Sequence, residues 1–226
     1  MLNDGQGNFT KTNQQLPSVE ARINSGVVEH SDIDGDGDQD LFVGERSKVA
    51  TFGLPGSGYL LVNDGTGVFE DQTATLAKEL KDVGLITDAL FVDLDQDNDQ
   101  DLIVVGEFMS VTIFENTPEG FIINKNHALA NKKGWWNTIH GADIDGDGDL
   151  DIVSASLNDD TIAWYENDGA ADPSWSAANI DTNADGARDV HVADMDGDGD
   201  LDIVSASRDD DTIAWYENDG AANPSW

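Results

Sequence analysis

The sequence predicts an all-β protein built from repeated four-stranded antiparallel units. A string of five alternate aspartates recurs four times, an apolar strand-like run follows each string, and a marker rich in Asn, Asp and Gly follows that run. The first aspartates are residues 32, 93, 143 and 194, which gives spacings of 61, 50 and 51 residues. Four short strands in about 50 residues is the period of one β-propeller blade.

The aspartate strings occupy residues 32–40, 93–101, 143–151 and 194–202, and we call them Asp loops 1 to 4. So many carboxylates repel one another unless a cation lies among them, and Ca²⁺ prefers such oxygen ligands. In a wrapped loop, positions 1, 3 and 5 direct side-chain oxygens to one point, position 7 offers its carbonyl, and position 9 adds a carboxylate. We therefore expect about four Ca²⁺ ions, one in each loop, and predict as metal-site residues Asp32, Asp34, Asp36, Asp38, Asp40, Asp93, Asp95, Asp97, Asp99, Asp101, Asp143, Asp145, Asp147, Asp149, Asp151, Asp194, Asp196, Asp198, Asp200 and Asp202.

Position 6 of each loop needs a sharp turn, which favours glycine. It is Gly37, Asn98, Gly148 or Gly199, and Asn is the residue that best replaces glycine at positive φ. The loops are not EF-hands, because position 12 lacks the bidentate glutamate and the flanking runs are of β type. Each loop is therefore predicted to join two strands as a metal-binding hairpin.

One repeat is read as strand, Asp loop, strand, turn, strand, Asn-Asp-Gly turn and a short fourth strand. The chain then divides into a partial unit at residues 1–20 and blades at residues 21–78, 79–130, 131–181 and 182–226, the last of them truncated. The two final units are nearly identical, since both contain the string Thr-Ile-Ala-Trp-Tyr-Glu-Asn-Asp-Gly. The whole chain is predicted to form a single β-propeller domain or a fragment of one.

Composition excludes several classes of protein. The net charge of −35 argues against nucleic acid as a partner, and the absence of cysteine excludes disulfides and cysteine-based metal sites. No apolar stretch approaches the roughly 20 residues of a membrane helix, so no membrane insertion is expected. No arrangement of Ser, His and Asp for nucleophilic catalysis stands out, and we expect no catalytic residues.

The motif Asp-x-Asp-x-Asp-Gly-x-x-Asp-[Ile/Leu], repeated inside 50–61-residue β units, resembles the FG-GAP/VCBS repeat of integrin-α-like propellers and of many secreted bacterial proteins. The resemblance implies Ca²⁺ at positions 1, 3, 5, 7 and 9, between the first two strands of a blade. Loop 2 departs from the pattern with Gln96 and Asn98 in place of glycines, which puts its affinity in doubt. Because the family mostly builds seven-bladed rings, we expect an open or incomplete arc of a larger propeller. The alternative is a closed four-bladed ring in which the stretch from Phe9 to Leu16 completes the last blade.

These features predict a non-catalytic calcium-binding module for extracellular recognition or cell adhesion, with a carbohydrate or protein ligand. The alternative is an accessory propeller of a secreted polysaccharide-active or other hydrolytic enzyme. The expected partners are an extracellular protein or glycan and the remaining blades of a longer chain. An extracellular or cell-surface location is expected, because exposed loops of this kind suit the millimolar calcium outside cells.

Three groups of residues outside the loops are weaker candidates for a site. The pairs Trp164–Tyr165 and Trp215–Tyr216 could form a sugar-stacking platform, but their repeating strand positions favour packing between blades. His140, His191 and Glu29 each lie three residues before an Asp loop, where a role in the repeat is favoured over a second metal site. Trp135–Trp136 is the least repeat-like aromatic cluster and remains a candidate ligand contact.

Overall fold

The computed structural model describes residues 2–3, 5–17, 23–51, 53–125, 127–170 and 173–226. The described residues form an all-β structure of antiparallel sheets, as the sequence predicts. Among the described residues, helical structure is confined to a short helix, α1 (Thr73–Leu76), and two 3₁₀ turns (Lys78–Leu80 and Ala128–Asn131). None of the helical segments in this part of the chain has the length and apolar character needed to cross a membrane.

Four sheets follow one another along the chain, and in each the strands pair in sequence order. A small hairpin of β1 (Leu2–Asn3) and β2 (Phe9–Thr10) precedes them. Sheet 1 contains β3 (Ile23–Ser31), β4 (Asp40–Lys48), β5 (Gly58–Asn63) and β6 (Phe69–Asp71). Sheet 2 contains β7 (Leu85–Val92), β8 (Asp101–Ser110), β9 (Thr112–Thr117) and β10 (Gly120–Asn124).

Sheets 3 and 4 repeat this order with one difference. Sheet 3 contains β11 (Lys133–Ala142), β12 (Asp151–Ser156), β13 (Thr161–Asn167) and β14 (Trp175–Asp181). Sheet 4 has three described strands, β15 (Ala187–Ala193), β16 (Asp202–Ser207) and β17 (Thr212–Tyr216). The start of β11 also pairs with the end of β8, which joins sheets 2 and 3 at one edge.

Each Asp loop connects the first and second strands of its sheet. The last residue of the first strand lies opposite position 9 of the loop, as in the pairs Ser31–Asp40 and Ala142–Asp151. The predicted strand–loop–strand hairpin is therefore confirmed in all four sheets. The hairpins bring all four loops to the same end of their respective sheets, namely the end where the first strand finishes.

The hydrophobic core consists of three clusters, one between each pair of consecutive sheets. The third strand of sheet 3 contributes side chains to two of these clusters. Trp164 packs with residues of sheet 4, whereas its neighbour Tyr165 packs with residues of sheet 2. Successive residues of a strand point to opposite faces, so sheet 3 is covered on both sides. Packing is thus the role of Trp164 and Tyr165.

The first strands of consecutive sheets also contact one another, β3 with β7, β7 with β11 and β11 with β15. Within the described ranges, no strand pairing joins β1 or β2 to sheet 4. Residues 5–17 instead reach sheet 1, where the side-chain amide of Gln14 donates a hydrogen bond to the carbonyl of Phe69 (3.0 Å).

Candidate metal centres

The structure brings carboxylates together within each of the four Asp loops. Each loop has a group of three aspartates in which one carboxylate oxygen from each residue lies within 4.8 Å of those from the other two. Loops 1 to 3 group positions 1, 3 and 5, and loop 4 groups positions 1, 3 and 9. The four groups are Asp32–Asp34–Asp36, Asp93–Asp95–Asp97, Asp143–Asp145–Asp147 and Asp194–Asp196–Asp202.

The loops share one backbone conformation, which glycine favours at two positions. Positions 4 and 6 have positive φ in all four loops. In loop 2 these positions are Gln96 (φ 61°) and Asn98 (φ 71°), so the turn is kept without glycine. The sequence predicted this conformation for Asn98 but not for Gln96. The backbone turn of loop 2 therefore has positive φ at the same two positions as the other three loops.

In loops 1 to 3, one oxygen of the position 1 carboxylate accepts a hydrogen bond from the loop backbone and the other has no partner among the described residues. Its Oδ2 accepts the backbone N–H of position 6 at 3.0–3.2 Å in all four loops. The Oδ1 atoms of Asp32, Asp93 and Asp143 are buried and accept no hydrogen bond from the described residues. A buried carboxylate oxygen without a partner is costly, and a bound cation would remove that cost. The donor set, all oxygen and anionic, fits a hard divalent cation.

Positions 3 and 5 keep the loop wrapped. Each of their carboxylates accepts the backbone N–H of the residue two places further on, at 3.1–3.3 Å for position 3 and 2.9–3.1 Å for position 5. These short-range bonds turn the chain so that the carboxylates converge. Aspartate suits these positions because its short side chain reaches its own backbone.

Position 9 anchors the loop to its sheet. The buried carboxylate of Asp151 accepts the backbone N–H of Ile144 at 3.1 Å through one oxygen and that of Asn167 at 2.8 Å through the other. Asp40, Asp101 and Asp202 make the equivalent pair of bonds. Burial raises the pKa of Asp151 to about 6 and that of Asp101 to about 7. Because burial disfavours the charged form, a cation beside these groups would favour their ionisation.

Position 7 side chains lie outside the four carboxylate groups defined above. The carboxylate of Asp149 instead accepts a hydrogen bond from the side-chain amide of Gln96, which links loop 3 to loop 2. Burial raises the pKa of Asp99 to about 6, and the adjacent Asp97 contributes to the shift. The sequence predicts a carbonyl ligand at position 7, and the Oδ1 atoms of Asp38 and Asp99 are also buried without a hydrogen-bond partner among the described residues.

Loop 4 differs from the others in one contact. The Oδ1 atom of Asp194 accepts the backbone N–H of Gly197 at 2.6 Å, so it is not left without a partner. The carboxylate of Asp202 takes the place of position 5 in the group. The same five aspartates are present, but their arrangement in loop 4 is distinct.

A repeated asparagine at the end of the third strand connects neighbouring loops. The side-chain amide of Asn167 donates to the carbonyl of Leu150 in its own loop (3.2 Å) and to that of Leu94 in the preceding loop (3.3 Å). Asn218 makes the same two bonds, to Leu201 and Ile144, and Asn116 makes the bond to the preceding loop, at Ile33. We call this inter-loop bond the asparagine latch. The repeated Asn-Asp-Gly marker in the sequence predicts a turn and gives no sign of this inter-loop bond.

The histidines singled out in the sequence come together on the first strands of sheets 3 and 4. The rings of His140 and His191 lie 4.9 Å apart in an edge-to-face arrangement. Burial lowers the pKa of His140, and the neighbouring His191 lowers it further. No carboxylate joins them in a group of metal-ligand type within the described residues.

The two adjacent tryptophans have different environments. Trp136 is buried, and its indole N–H donates to the carbonyl of Met109 (3.0 Å). Trp135 contacts Phe108 with ring centroids 4.8 Å apart and the ring planes tilted by 54°, beside a shallow cavity of about 340 Å³ also lined by Lys133 and Asp159. Phe108 is 58% exposed and has a φ of 61°, an uncommon backbone conformation for a bulky residue. Trp136 is thus part of the core, and Trp135 belongs to a surface aromatic pair.

Comparison with protein families gives one match. The model of the FG-GAP-like repeat matches residues 32–104, 93–154 and 143–205. Each match begins at the first aspartate of one loop and ends in the second strand of the next sheet, so together they span loops 1 to 4. A search of curated proteins finds no match to this chain.

Proposed function

Because this chain belongs to the FG-GAP-like repeat family, we propose that it is a calcium-binding β-propeller module for extracellular recognition or adhesion, without catalytic activity of its own. The four consecutive sheets would be blades of an incomplete propeller, with boundaries at residues 21–78, 79–130, 131–181 and 182–226. The observation that carries the metal proposal is the buried, unpartnered Oδ1 of position 1 in loops 1 to 3. In each case it belongs to a carboxylate grouped with two others.

Calcium is the cation that this donor set fits best. A flexible loop of carboxylates and a carbonyl can supply the six to eight oxygens that Ca²⁺ takes, whereas Mg²⁺ demands a stricter octahedron and keeps its waters. Bound Ca²⁺ would neutralise part of the charge in each loop. The residues of the chain would hold the ion in place through positions 1, 3 and 5, with the carbonyl of position 7 and the carboxylate of position 9.

Metal analysis after dialysis against trace calcium tests this assignment. We expect about four Ca²⁺ per chain, one for each carboxylate group, and little retention of magnesium. A stoichiometry near zero would remove the metal from the proposed function. The purified chain should also leave polysaccharide, ester and phosphate substrates unchanged in the presence of calcium.

The Phe108–Trp135 pair favours a carbohydrate as the ligand over the other classes considered. An exposed aromatic face suits the apolar side of a sugar ring, and Lys133 and Asp159 offer polar groups for its hydroxyls. A glycan array with the parent chain and Phe108→Ala tests the site. Binding should depend on Phe108 and persist in Ile122→Ala, a control at another exposed apolar residue.

An accessory role beside a secreted polysaccharide-active enzyme would use the same surface. The glycans on the array that bind the chain would then match the substrate of an enzyme encoded in the same reading frame. Protein-only binding by the parent chain, independent of Phe108, would instead support adhesion through another surface.

A further inference from the structure

A cavity of about 580 Å³ opens at the end of sheet 2 that lies away from the Asp loops. Its walls come from the end of β8, the start of β9, the residues after β10, the start of β11 and the turn before β7. These segments meet there because the end of β8 pairs with the start of β11. The volume lies within the range of ~300–1,000 Å³ that is typical of small-ligand sites. We call it the lysine cavity, because Lys81, Lys125 and Lys133 line it.

The three lysines of the cavity form no ion pair with any described residue. Two acidic residues also line the cavity, but each pairs with a lysine outside the lining. Glu79 pairs with Lys78 (3.7 Å), and Asp82 pairs with Lys48 (3.5 Å). The lining therefore keeps a local excess of positive charge. In a chain with a net charge of −35, such a group of lysines is a place where an anion meets less repulsion than elsewhere.

A buried histidine in the same lining lacks hydrogen-bond partners. His127 is 3% exposed, and neither of its ring nitrogens makes a hydrogen bond of good geometry with a described residue. Burial lowers the pKa of His127 below the ordinary value, against an opposing contribution from the backbone of Asn124, so the ring is neutral near pH 7. A neutral imidazole has one N–H donor and one acceptor, which are costly to bury without partners. A ligand in the cavity that accepted the N–H would remove part of this cost.

The lysine cavity adjoins the smaller cavity beside Trp135. Phe108 and Lys133 line both of them. The register of β8 against β11 shifts between Met109 and Glu107, which leaves Phe108 without a paired residue on β11. The indole nitrogen of Trp135 is also buried without a partner among the described residues. A ligand that spans the two cavities would thus meet aromatic rings at one end and ammonium groups at the other.

We propose that the lysine cavity binds the anionic group, a carboxylate or a sulfate, of an acidic oligosaccharide whose neutral part lies on the Phe108–Trp135 pair. The inference rests on the carbohydrate ligand proposed above and names its chemical class. The ammonium groups of Lys81 and Lys125 would face the anionic group, and the ring N–H of His127 would donate to one of its oxygens. Hydrogen bonds to a charged acceptor are stronger than those to a neutral one, so acidic sugars should be preferred.

An array that carries the same hexose oligomers in neutral, 6-sulfated and uronic acid forms tests the proposal, with calcium present throughout. The parent chain should bind at least one acidic form about tenfold more tightly than the matching neutral form, and the stronger of the two identifies the anionic group. Lys81→Gln and Lys125→Gln, which do not line the smaller cavity, should each weaken binding of the acidic form about threefold. Both variants should bind the neutral form like the parent.

Lys132→Gln is the matched control for the lysine variants. Lys132 is exposed and lies outside the lining, and its replacement changes the net charge by the same amount. This variant should bind all three forms like the parent. Phe108→Ala should instead weaken all three forms by a similar factor, because Phe108 would contact the neutral part of the sugar.

His127→Leu separates ligand binding from folding. The ring nitrogens of His127 have no partner of good geometry in the described chain, so an apolar side chain of similar volume should keep or raise the melting temperature. The same variant should bind the acidic form more weakly than the parent does. A purely structural role for His127 would give the reverse, with a lower melting temperature and an unchanged preference for acidic sugars.

The outcomes separate this inference from the proposed function. Equal binding of the three forms by the parent chain overturns the lysine cavity as an anion site and leaves the carbohydrate ligand in place. No binding of any form overturns both. A preference for the acidic form that persists when Lys81 and Lys125 are both replaced by Gln also overturns the assignment, because the anionic group would then lie elsewhere, for example on a bound calcium ion.

Discussion

The side-chain amide nitrogen of Asn167, at the end of the third strand of sheet 3, lies 3.3 Å from the carbonyl oxygen of Leu94, which belongs to Asp loop 2. The same amide also binds Leu150, and the backbone N–H of Asn167 binds Asp151. One buried asparagine thus holds its own loop closed and fixes the position of the preceding one.

Replacement of this asparagine should destabilise the chain more than replacement of its counterpart in sheet 1. Asn167→Ala leaves the buried carbonyl of Leu94 and the partly buried carbonyl of Leu150 without their donor, and we expect a loss of about 2–3 kcal/mol in the free energy of unfolding. Asn63→Ala is the matched control, because Asn63 lacks a bond to a preceding loop among the described residues, and about 1 kcal/mol is expected. Urea unfolding with calcium present measures both. Equal losses would show that the latch adds nothing.

Asp143→Asn should remove one calcium ion and the stability that it contributes. At calcium about a hundredfold above the dissociation constant, binding to the native state adds about 2.7 kcal/mol, which this variant would lose. Asp159→Asn, an exposed residue of the same sheet outside the loop, is the control. In excess chelator the gap between Asp143→Asn and the parent should close, because the parent then binds no metal either. A gap that persists in chelator would point to a purely structural role for Asp143.

Loop 2 offers a test of backbone conformation. Asn98 has a φ of 71°, where a β-branched residue is strained, so Asn98→Val should cost about 1–2 kcal/mol and weaken calcium binding at that loop. Asn98→Gly should keep or improve both properties, since glycine adopts this conformation without strain. Calorimetric titration of the two variants gives the comparison. Similar calcium affinities for the two would mean that position 6 does not control the loop.

The pH dependence of stability should include a contribution from His140. Burial lowers the pKa of His140 in the folded chain below the value of about 6.5 for an exposed histidine. Below pH about 6.5 the unfolded chain therefore binds a proton that the folded chain does not, and stability falls as the pH drops through the folded pKa. Among its neighbours, His191 lowers the pKa of His140 further, whereas Asp88 and Asp189 raise it.

Thermal unfolding from pH 8 to pH 5 in saturating calcium checks this prediction. His140→Gln should lose less stability than the parent between pH 6.5 and pH 5, because glutamine does not titrate. His30→Gln, on an exposed side chain of sheet 1, serves as the control and should follow the parent. Parallel curves for His140→Gln and the parent would contradict the assignment.

Much of the fold was predictable because its signals are local. Alternating aspartates and positive-φ residues such as Asn98 specify the loop turn, and the β-type runs beside them specify the strands. The role of Asn167 was not predictable, because its partner Leu94 lies 73 residues away and a repeated Asn-Asp-Gly string indicates only a turn. The sequence indicates Trp135 as a candidate contact but not its partner Phe108, because Phe108 is exposed where the register of β8 against β11 shifts between Met109 and Glu107, and such a bulge leaves no signal in composition.

The asparagine latch makes metal binding a property of the row of loops rather than of each loop separately. Asn116, Asn167 and Asn218 each tie an anchored loop to the backbone of the one before it. Ordering one loop then lowers the entropic cost of ordering its neighbour, as in a one-dimensional Ising chain. Calcium uptake should consequently be positively cooperative, with a Hill coefficient above one that falls when Asn167, the central link, is replaced.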